Sequence, residues 1–122
     1  MPSSGLVVAQ IEGVTVVGVR SVSITDMPTI ESIGKELYAL VEEQARKKVV
    51  VDFAAVRFLS SQMLGVLISL QKKAKGIGGR VVLCSLRPDL MKVFQITKLD
   101  KVLEFAADER EALKKLDVLG QA

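Results

Sequence analysis

Apolar and polar positions along the chain follow two periods, and the β-rich runs come first. Leu6–Ile11 and Val14–Arg20 lie on either side of the turn signal Glu12-Gly13, which predicts an antiparallel hairpin. Lys48–Phe53 is too apolar to alternate, and such a run is typical of a strand covered on both faces. Two further strands are expected downstream, at Arg80–Cys84 and Val102–Phe105.

Apolar residues recur at helical spacing in four segments between and after these runs. The first helix is expected to start near Asp26. The second runs from about Ser61 to Lys75 and is stopped by Gly76–Gly79, whose glycines permit a tight return. The other two helices are expected to begin at Pro88 and at the capping-box pair Asp108 and Glu111.

The order of these elements, ββαβαβαβα, indicates an α/β fold. After the N-terminal hairpin, strands and helices alternate, so right-handed βαβ crossovers are expected. They would build a mostly parallel or mixed central sheet of about five strands with about four helices. The 122 residues suit a single domain spanning 1–122, because no linker, repeat or low-complexity tract divides them.

The residue content excludes several classes of catalytic site. With no His and one Cys, the chain cannot build a Ser-His-Asp or Cys-His constellation, or most zinc sites, by itself. Cys84 lies inside an apolar strand, where a core thiol is expected rather than a nucleophile. Gly76–Gly79 lies between a helix and a strand, so it is interpreted as a turn and not as a phosphate loop. We therefore expect no enzymatic activity, no metal and no cofactor.

Charge and hydropathy narrow the range of partners. The net charge of +3 is spread along the chain, and 4% aromatic residues without Trp offer no stacking platform for nucleic acid. No apolar run approaches the roughly 20 residues that span a bilayer, and no signal peptide opens the chain. These features predict a cytoplasmic protein that binds no nucleic acid and does not insert directly into a membrane.

The candidate functional residues lie between Asp52 and Ser61. Ser60 and Ser61 stand just before the second helix, where free N–H groups and a partial positive charge favour a Ser N-cap or a bound phosphate. One of the two serines is expected to cap the helix in either case. Asp52 ends a buried strand, at the edge where α/β sheets collect functional groups, and its alternative role is to cap the following loop.

Four stretches of the chain together resemble one known family. They are VVVDF at 49–53, FLSSQMLGVLISL at 58–70, GGRVVLCSLRP at 78–88 and VFQITKLDKVLEF at 93–105. In order, spacing and composition, nearly the whole chain looks like a STAS domain, the family of bacterial anti-sigma factor antagonists. The resemblance implies partner switching in transcription regulation. The dephosphorylated antagonist would bind an anti-sigma factor that is also a serine kinase. Phosphorylation at the start of the second helix would then weaken the complex by adding nearly two negative charges.

The chain departs from the family pattern at the start of the second helix. An ungapped alignment on Leu64-Gly65 places the usual phosphoacceptor at Gln62, which cannot be phosphorylated, and the following Gly at Met63. Ser61, or Ser60, would therefore be a new phosphorylation site and not the one that the family uses.

Three functional hypotheses follow. In the first, an antagonist binds a kinase-type anti-sigma factor through a surface made of Asp52, Leu59, Ser60, Ser61, Gln62 and Met63. The second is a constitutive STAS scaffold or transporter-associated docking subunit without phosphorylation control, which Gln62 and Met63 favour. The third is a small enzyme or nucleotide binder on the same fold, which the absence of His and of a phosphate loop disfavours.

Two expectations about contacts accompany these hypotheses. Leu59 and Met63 would either supply an exposed apolar contact to the partner or belong to the core. A weak homodimer is also among the expected associations.

Overall fold

The computed structural model describes residues 6–116, and the expected hairpin followed by βα units is present there. The strands and helices follow the order β1 Leu6–Ile11, β2 Val14–Val19, β3 Ser23–Ile24, α1 Met27–Glu42, β4 Lys48–Asp52, β5 Phe58–Leu59, α2 Ser61–Gly76, β6 Arg80–Cys84, α3 Pro88–Ile96, β7 Glu104–Ala106 and α4 Glu109–Lys115. A single 3₁₀ turn, Leu99–Lys101, lies between α3 and β7.

A five-stranded mixed sheet in the order β1-β2-β4-β6-β7 forms the centre of the molecule. β1 and β2 are antiparallel, with Leu6 opposite Val19, and the remaining neighbours are parallel. The expected fold class is therefore confirmed. The last strand begins two residues later than expected, at Glu104, because the 3₁₀ turn ends just before Val102 and leaves that side chain 48% exposed.

A second, two-stranded parallel sheet was not expected from the sequence. β3 and β5 pair with Ser23 opposite Phe58 and Ile24 opposite Leu59. Each strand has two residues, which is too short for an alternating pattern to be recognised. The pairing nevertheless matters for the site, because it joins the segment before α1 to the segment before α2.

The two faces of the central sheet bury separate cores. In β4, Val49 and Val51 point into a large core that α1, α2 and α3 cover, whereas Val50 points into a smaller core beneath α4. This double coverage explains why β4 is continuously apolar. Cys84 is fully buried in the smaller core, and desolvation raises the pKa of its thiol to about 12, so the expected core thiol is confirmed.

Local hydrogen bonds set the starts of α1 and α4. The carboxylate of Asp26 accepts a bond from the backbone N–H of Thr29 at 3.0 Å, and that of Asp108 accepts one from Glu111 at 2.9 Å. The Glu111 carboxylate in turn accepts a bond from the backbone N–H of Ala107 at 3.2 Å. The capping-box-like start expected for the last helix is therefore present, with the return bond one residue earlier than in the usual motif.

Candidate functional site

The loop between β4 and α2 is anchored to the core at two points. Phe53 and Val56 are fully buried, and the backbone N–H of Phe53 donates to the carbonyl of Cys84 at 3.0 Å. The loop then joins the small sheet, where the N–H groups of Arg57 and Phe58 both donate to the carbonyl of Val22, at 2.7 and 3.1 Å. The approach to α2 is therefore fixed by backbone bonds on both sides.

Ser60 occupies the N-cap position of α2, but its hydroxyl does not cap the helix. Its backbone is extended, with φ −86° and ψ 162°, and its N–H donates to the carbonyl of Ile24 at 3.0 Å. The Oγ atom is buried and has no hydrogen-bond partner within residues 6–116. The prediction of a side-chain cap is therefore wrong for Ser60. Its backbone N–H is bonded to the carbonyl of Ile24, and its buried Oγ atom makes no bond to the N–H groups of α2.

Ser61 and Gln62 begin α2 and are both exposed. Ser61 is the first helical residue, and no acidic side chain lies in the first turn. Gln62 lines an apolar groove of about 430 Å³ between α1 and α2, together with Met27, which is 46% exposed. Of the two serines, only Ser61 is exposed, as is the Gln62 that follows it.

Met63 does not supply the exposed apolar contact, whereas Leu59 keeps part of its side chain at the surface. Met63 is fully buried in the large core, and Leu59 is half-buried against that core. For Met63 the structure therefore decides between the two alternatives in favour of the core, and its inclusion in a contact surface is corrected. Helical periodicity explains the burial, because Met63 lies one turn before Leu67 on the face that packs against the sheet.

Phe58 and Val22 provide an exposed apolar area that the sequence pattern did not indicate. Phe58 is 60% exposed and Val22 is 51% exposed, and the small sheet holds their backbones next to each other. A large aromatic side chain held in solvent beside polar residues is typical of a recognition surface. We call the set formed by Val22, Met27, Phe58, Ser61 and Gln62 the α2 surface.

Asp52 lies apart from the α2 surface. Its carboxylate accepts a bond from the backbone N–H of Ala54 at 2.8 Å, so the loop-capping role is present. Its side chain lines a cleft of about 360 Å³ on the sheet face that α4 partly covers, and that cleft also contains Arg20 and Glu109. The structure therefore brings Ser61 and Gln62 together and leaves Asp52 on the opposite face of the sheet.

Glu109, at the first position of α4, makes a pair with Asp52 that the sequence did not indicate. A hydrogen bond with the Asp52 side chain raises the pKa of Glu109 to about 7, with smaller contributions from burial and from the Asp52 charge. The protonated Glu109 can donate a hydrogen bond to Asp52, whereas the ionised form repels it. The two residues are 57 positions apart, so only the fold could reveal the pair.

Two further observations concern metal binding and membrane-spanning helices. Within the described part of the chain, no group of three or more acidic, His or Cys side chains is arranged to hold a metal ion. Over the same residues, no helix has the length and apolar character needed to cross a membrane.

Comparisons with known proteins agree on one family. The sequence model of the STAS domain matches residues 6–112. A Bordetella bronchiseptica protein, named as a candidate anti-sigma factor antagonist, BtrV, is 33% identical over 82 residues, or 67% of this chain and 69% of that protein.

Solved structures with the same fold extend this agreement over most of the chain. An anti-sigma factor antagonist from Mycobacterium paratuberculosis is 27% identical, with a TM-score of 0.80 over 90% of this chain and 91% of the other. A STAS domain protein from Planctomyces limnophilus is 26% identical, with a TM-score of 0.79 over 91% and 96% of the two chains.

Proposed function

Because the chain belongs to the STAS domain family, we propose that it is an anti-sigma factor antagonist whose α2 surface binds a kinase-type anti-sigma factor. The observation that carries the proposal is that Phe58, Ser61 and Gln62 are all exposed within residues 58–62, where β5 leads into α2. An apolar anchor next to exposed polar groups is the usual composition of a binding hot spot. The names of the relatives support a protein partner of this class.

Ser61 is the residue that we propose as the phosphoacceptor, in preference to Ser60. Ser61 is exposed, whereas the Oγ atom of Ser60 is buried and out of reach of a kinase. A phosphate on Ser61 would lie at the N-terminus of a 16-residue helix, where free N–H groups stabilise negative charge. It would also bring about −1.5 to −2 charges three residues from Phe58 in the chain, which opposes burial of that ring against a partner.

A constitutive docking module is the second candidate function, and one residue favours it. Gln62 stands where the family usually carries its phosphoacceptor, and it is exposed on the α2 surface. In this alternative the same surface binds a scaffold or a transporter subunit permanently, and Ser61 is never modified. The partner's response to ATP separates the two candidates.

In both candidate functions the protein acts by binding a partner protein and not by catalysis. STAS antagonists are typically regulators without enzymatic activity, and we propose the same for this chain. A kinase partner requires ATP, so the first candidate places the protein in the cytoplasm. Weak self-association is compatible with either candidate.

The test is a tagged pull-down from lysate of the source cells with and without ATP, with mass spectrometry of the bound proteins and of this chain. We expect capture of an ATP-binding anti-sigma factor, loss of capture with ATP, and one phosphate on Ser61. Ser61→Ala should keep the complex intact in ATP, and Ser61→Asp should weaken it without ATP.

Ser60→Ala is the matched control, because it removes a neighbouring hydroxyl that the kinase cannot reach. It should be phosphorylated and released as the unaltered protein is. If the same partner is captured equally with and without ATP, and Ser61 stays unmodified, the phosphorylation switch is rejected and constitutive docking is favoured. Capture of no anti-sigma factor at all would reject the first candidate.

A further inference from the structure

Within residues 6–116, the outer edge of β1 is unpaired and lacks the features that usually protect such an edge. β1 pairs with β2 alone among the described residues, so alternate N–H and C=O groups of Leu6–Ile11 point away from the sheet. The sequence LVVAQI has no charge and no proline. Exposed edge strands of natural proteins are normally blocked by such residues because they otherwise pair with another chain.

The opposite edge of the same sheet, β7, is protected and provides the contrast. β7 has only three residues, Glu104–Ala106. Its first residue is charged, and Glu104 is held by Arg80 in an ion pair with N–O distances of 2.5 and 3.0 Å. The absence of protection on β1 is therefore a property of that edge and not of the whole sheet.

Apolar side chains are exposed on both faces of β1. Val7 is 49% exposed and Val8 is 45% exposed, and successive residues of a strand point to opposite faces. Val7, Ala9 and Ile11 line the cleft on the α4 side of the sheet. Pairing of this edge would cover apolar area on both faces and satisfy the outward backbone groups.

We propose that β1 is the dimer interface of this protein, pairing antiparallel with β1 of a second copy about a two-fold axis through Ala9. Paired residues of an antiparallel ladder share a face, so two identical strands must pair positions of the same parity. Centring on Ala9 places the small side chain opposite itself, Val7 opposite Ile11, and Val8 opposite Gln10. The apolar floor of each cleft then continues into that of the second copy.

Charge at the two ends of β1 favours a second copy over an unrelated strand. Arg20 follows β2 at the end where β1 begins, and Glu12 follows β1 at its other end. Both are exposed, and within residues 6–116 neither forms an ion pair. The two-fold axis brings Arg20 of each copy to the end that carries Glu12 of the other, so opposite charges meet twice in a closed dimer.

The proposed dimer joins two five-stranded sheets into one sheet of ten strands. Its contact area rests on one short strand and lies below the roughly 1,200 Å² of a standard interface, so the association is weak. We expect a dissociation constant on the order of 100 μM.

The test is sedimentation equilibrium of the full chain from about 10 μM to about 1 mM, a range that brackets the expected constant. The apparent mass should rise from one chain to two. Val8→Lys places a charge on the exposed edge and should weaken dimerisation at least tenfold. Ile96→Lys is the matched control, because Ile96 is 78% exposed but lies in α3, away from β1, and should leave the dimer intact.

Cross-linking provides a second test that does not depend on the lysine variant folding. In a Cys84→Ala background, Ala9→Cys should be joined to its counterpart by a short bismaleimide, whereas Ile96→Cys should not. A chain that stays monomeric over the whole concentration range would overturn the proposal. So would equal mass curves for Val8→Lys and the unaltered protein, or cross-linking at Ile96→Cys alone.

Discussion

At the scale of single residues, the start of α2 combines an exposed hydroxyl with a buried one. Ser61 is available to a partner, while the Oγ atom of Ser60 is buried and finds no hydrogen-bond partner among residues 6–116. A buried hydroxyl without a partner loses its bonds to water and gains none in return. Ser60 therefore contributes differently to stability from Asp26 and Asp108, whose side chains do cap their helices.

The first prediction concerns the stability of Ser60→Ala. Because no cap bond is lost and an unsatisfied hydroxyl is removed, we expect the free energy of unfolding to stay unchanged or to rise by up to about 1 kcal/mol. Asp108→Ala removes a true cap and should cost about 1 kcal/mol. Urea denaturation of the three proteins measures both effects. A loss of about 1 kcal/mol in Ser60→Ala would show that its hydroxyl caps α2 in solution.

The second prediction concerns the pH dependence that Glu109 confers. Its pKa rises from 4.5 in the unfolded chain to about 7 in the folded one, so the folded state binds the extra proton. The stabilisation is fully present below pH 4.5 and is lost as the pH rises through about 7. Glu109→Gln keeps a hydrogen-bond donor beside Asp52 at every pH and should remove this loss.

The measurement is the Tm of both proteins at about pH 5 and about pH 8.5, which lie on either side of the raised pKa. Solvent screening limits the effect of this half-exposed pair to less than about 1 kcal/mol. We therefore expect Glu109→Gln to melt about 2–4 °C higher than the unaltered protein at the higher pH only. Equal Tm differences at both pH values would show that the pair does not titrate as described.

At the scale of secondary structure, the turn from α2 into β6 depends on one close backbone approach. A Cβ atom at Gly79 would lie 2.5 Å from the carbonyl oxygen of Lys47, whereas one at Gly65, in α2, meets nothing within 4 Å. The N–H of Gly79 also donates to Ala74 at 2.7 Å, and the N–H of Arg80 donates to Lys47 at the same distance. The stretch interpreted from sequence as a turn is therefore a tightly packed connection from α2 to β6, held against the residue that precedes β4.

The third prediction compares alanine at these two glycines. Gly79→Ala should lower the free energy of unfolding by more than about 2 kcal/mol, because the backbone of Lys47 must move. Gly65→Ala should raise it by about 0.5–1 kcal/mol, because alanine is the better helix former and the site is open. Chemical denaturation measures both, and a harmless Gly79→Ala would contradict the close approach.

Elements with a strong period could be predicted from the sequence, and the short or long-range features could not. The hairpin, β4, α2 and the alternation of strands with helices all followed from apolar spacing and turn residues. The pairing of β3 with β5 did not, because two-residue strands carry no period, and Phe58 was therefore missed. The Asp52–Glu109 pair depends on packing α4 over β4, which local pattern does not encode. Met63 was left open because its spacing fits both the core and an exposed first turn.

At the scale of the whole molecule, the two proposed contact regions lie on separate parts of the surface. The α2 surface is formed where the small sheet meets the start of α2, and the dimer interface is the outer edge of β1. A variant in one region should therefore leave the other unaffected. This separation allows partner binding and self-association to be tested independently.

The fourth prediction concerns the contribution of Phe58 to partner binding. Phe58→Ala removes a ring that is 60% exposed, so we expect little change in Tm but at least a tenfold loss of affinity for the captured partner. Isothermal titration calorimetry measures the affinity directly. Ile96→Ala removes an even more exposed apolar side chain, in α3, and should bind as the unaltered protein does. Equal affinities for all three proteins would exclude Phe58 from the interface.

The order of strands in the central sheet also bears on how the chain is made. The order β1-β2-β4-β6-β7 repeats the order of synthesis, so each new strand joins an outer edge and none inserts between two already paired strands. A chain emerging from the ribosome can therefore extend its sheet one βα unit at a time. The large core closes once Leu103 has emerged, whereas the smaller core needs the later α4, so the apolar face beneath α4 is the last to leave solvent during translation.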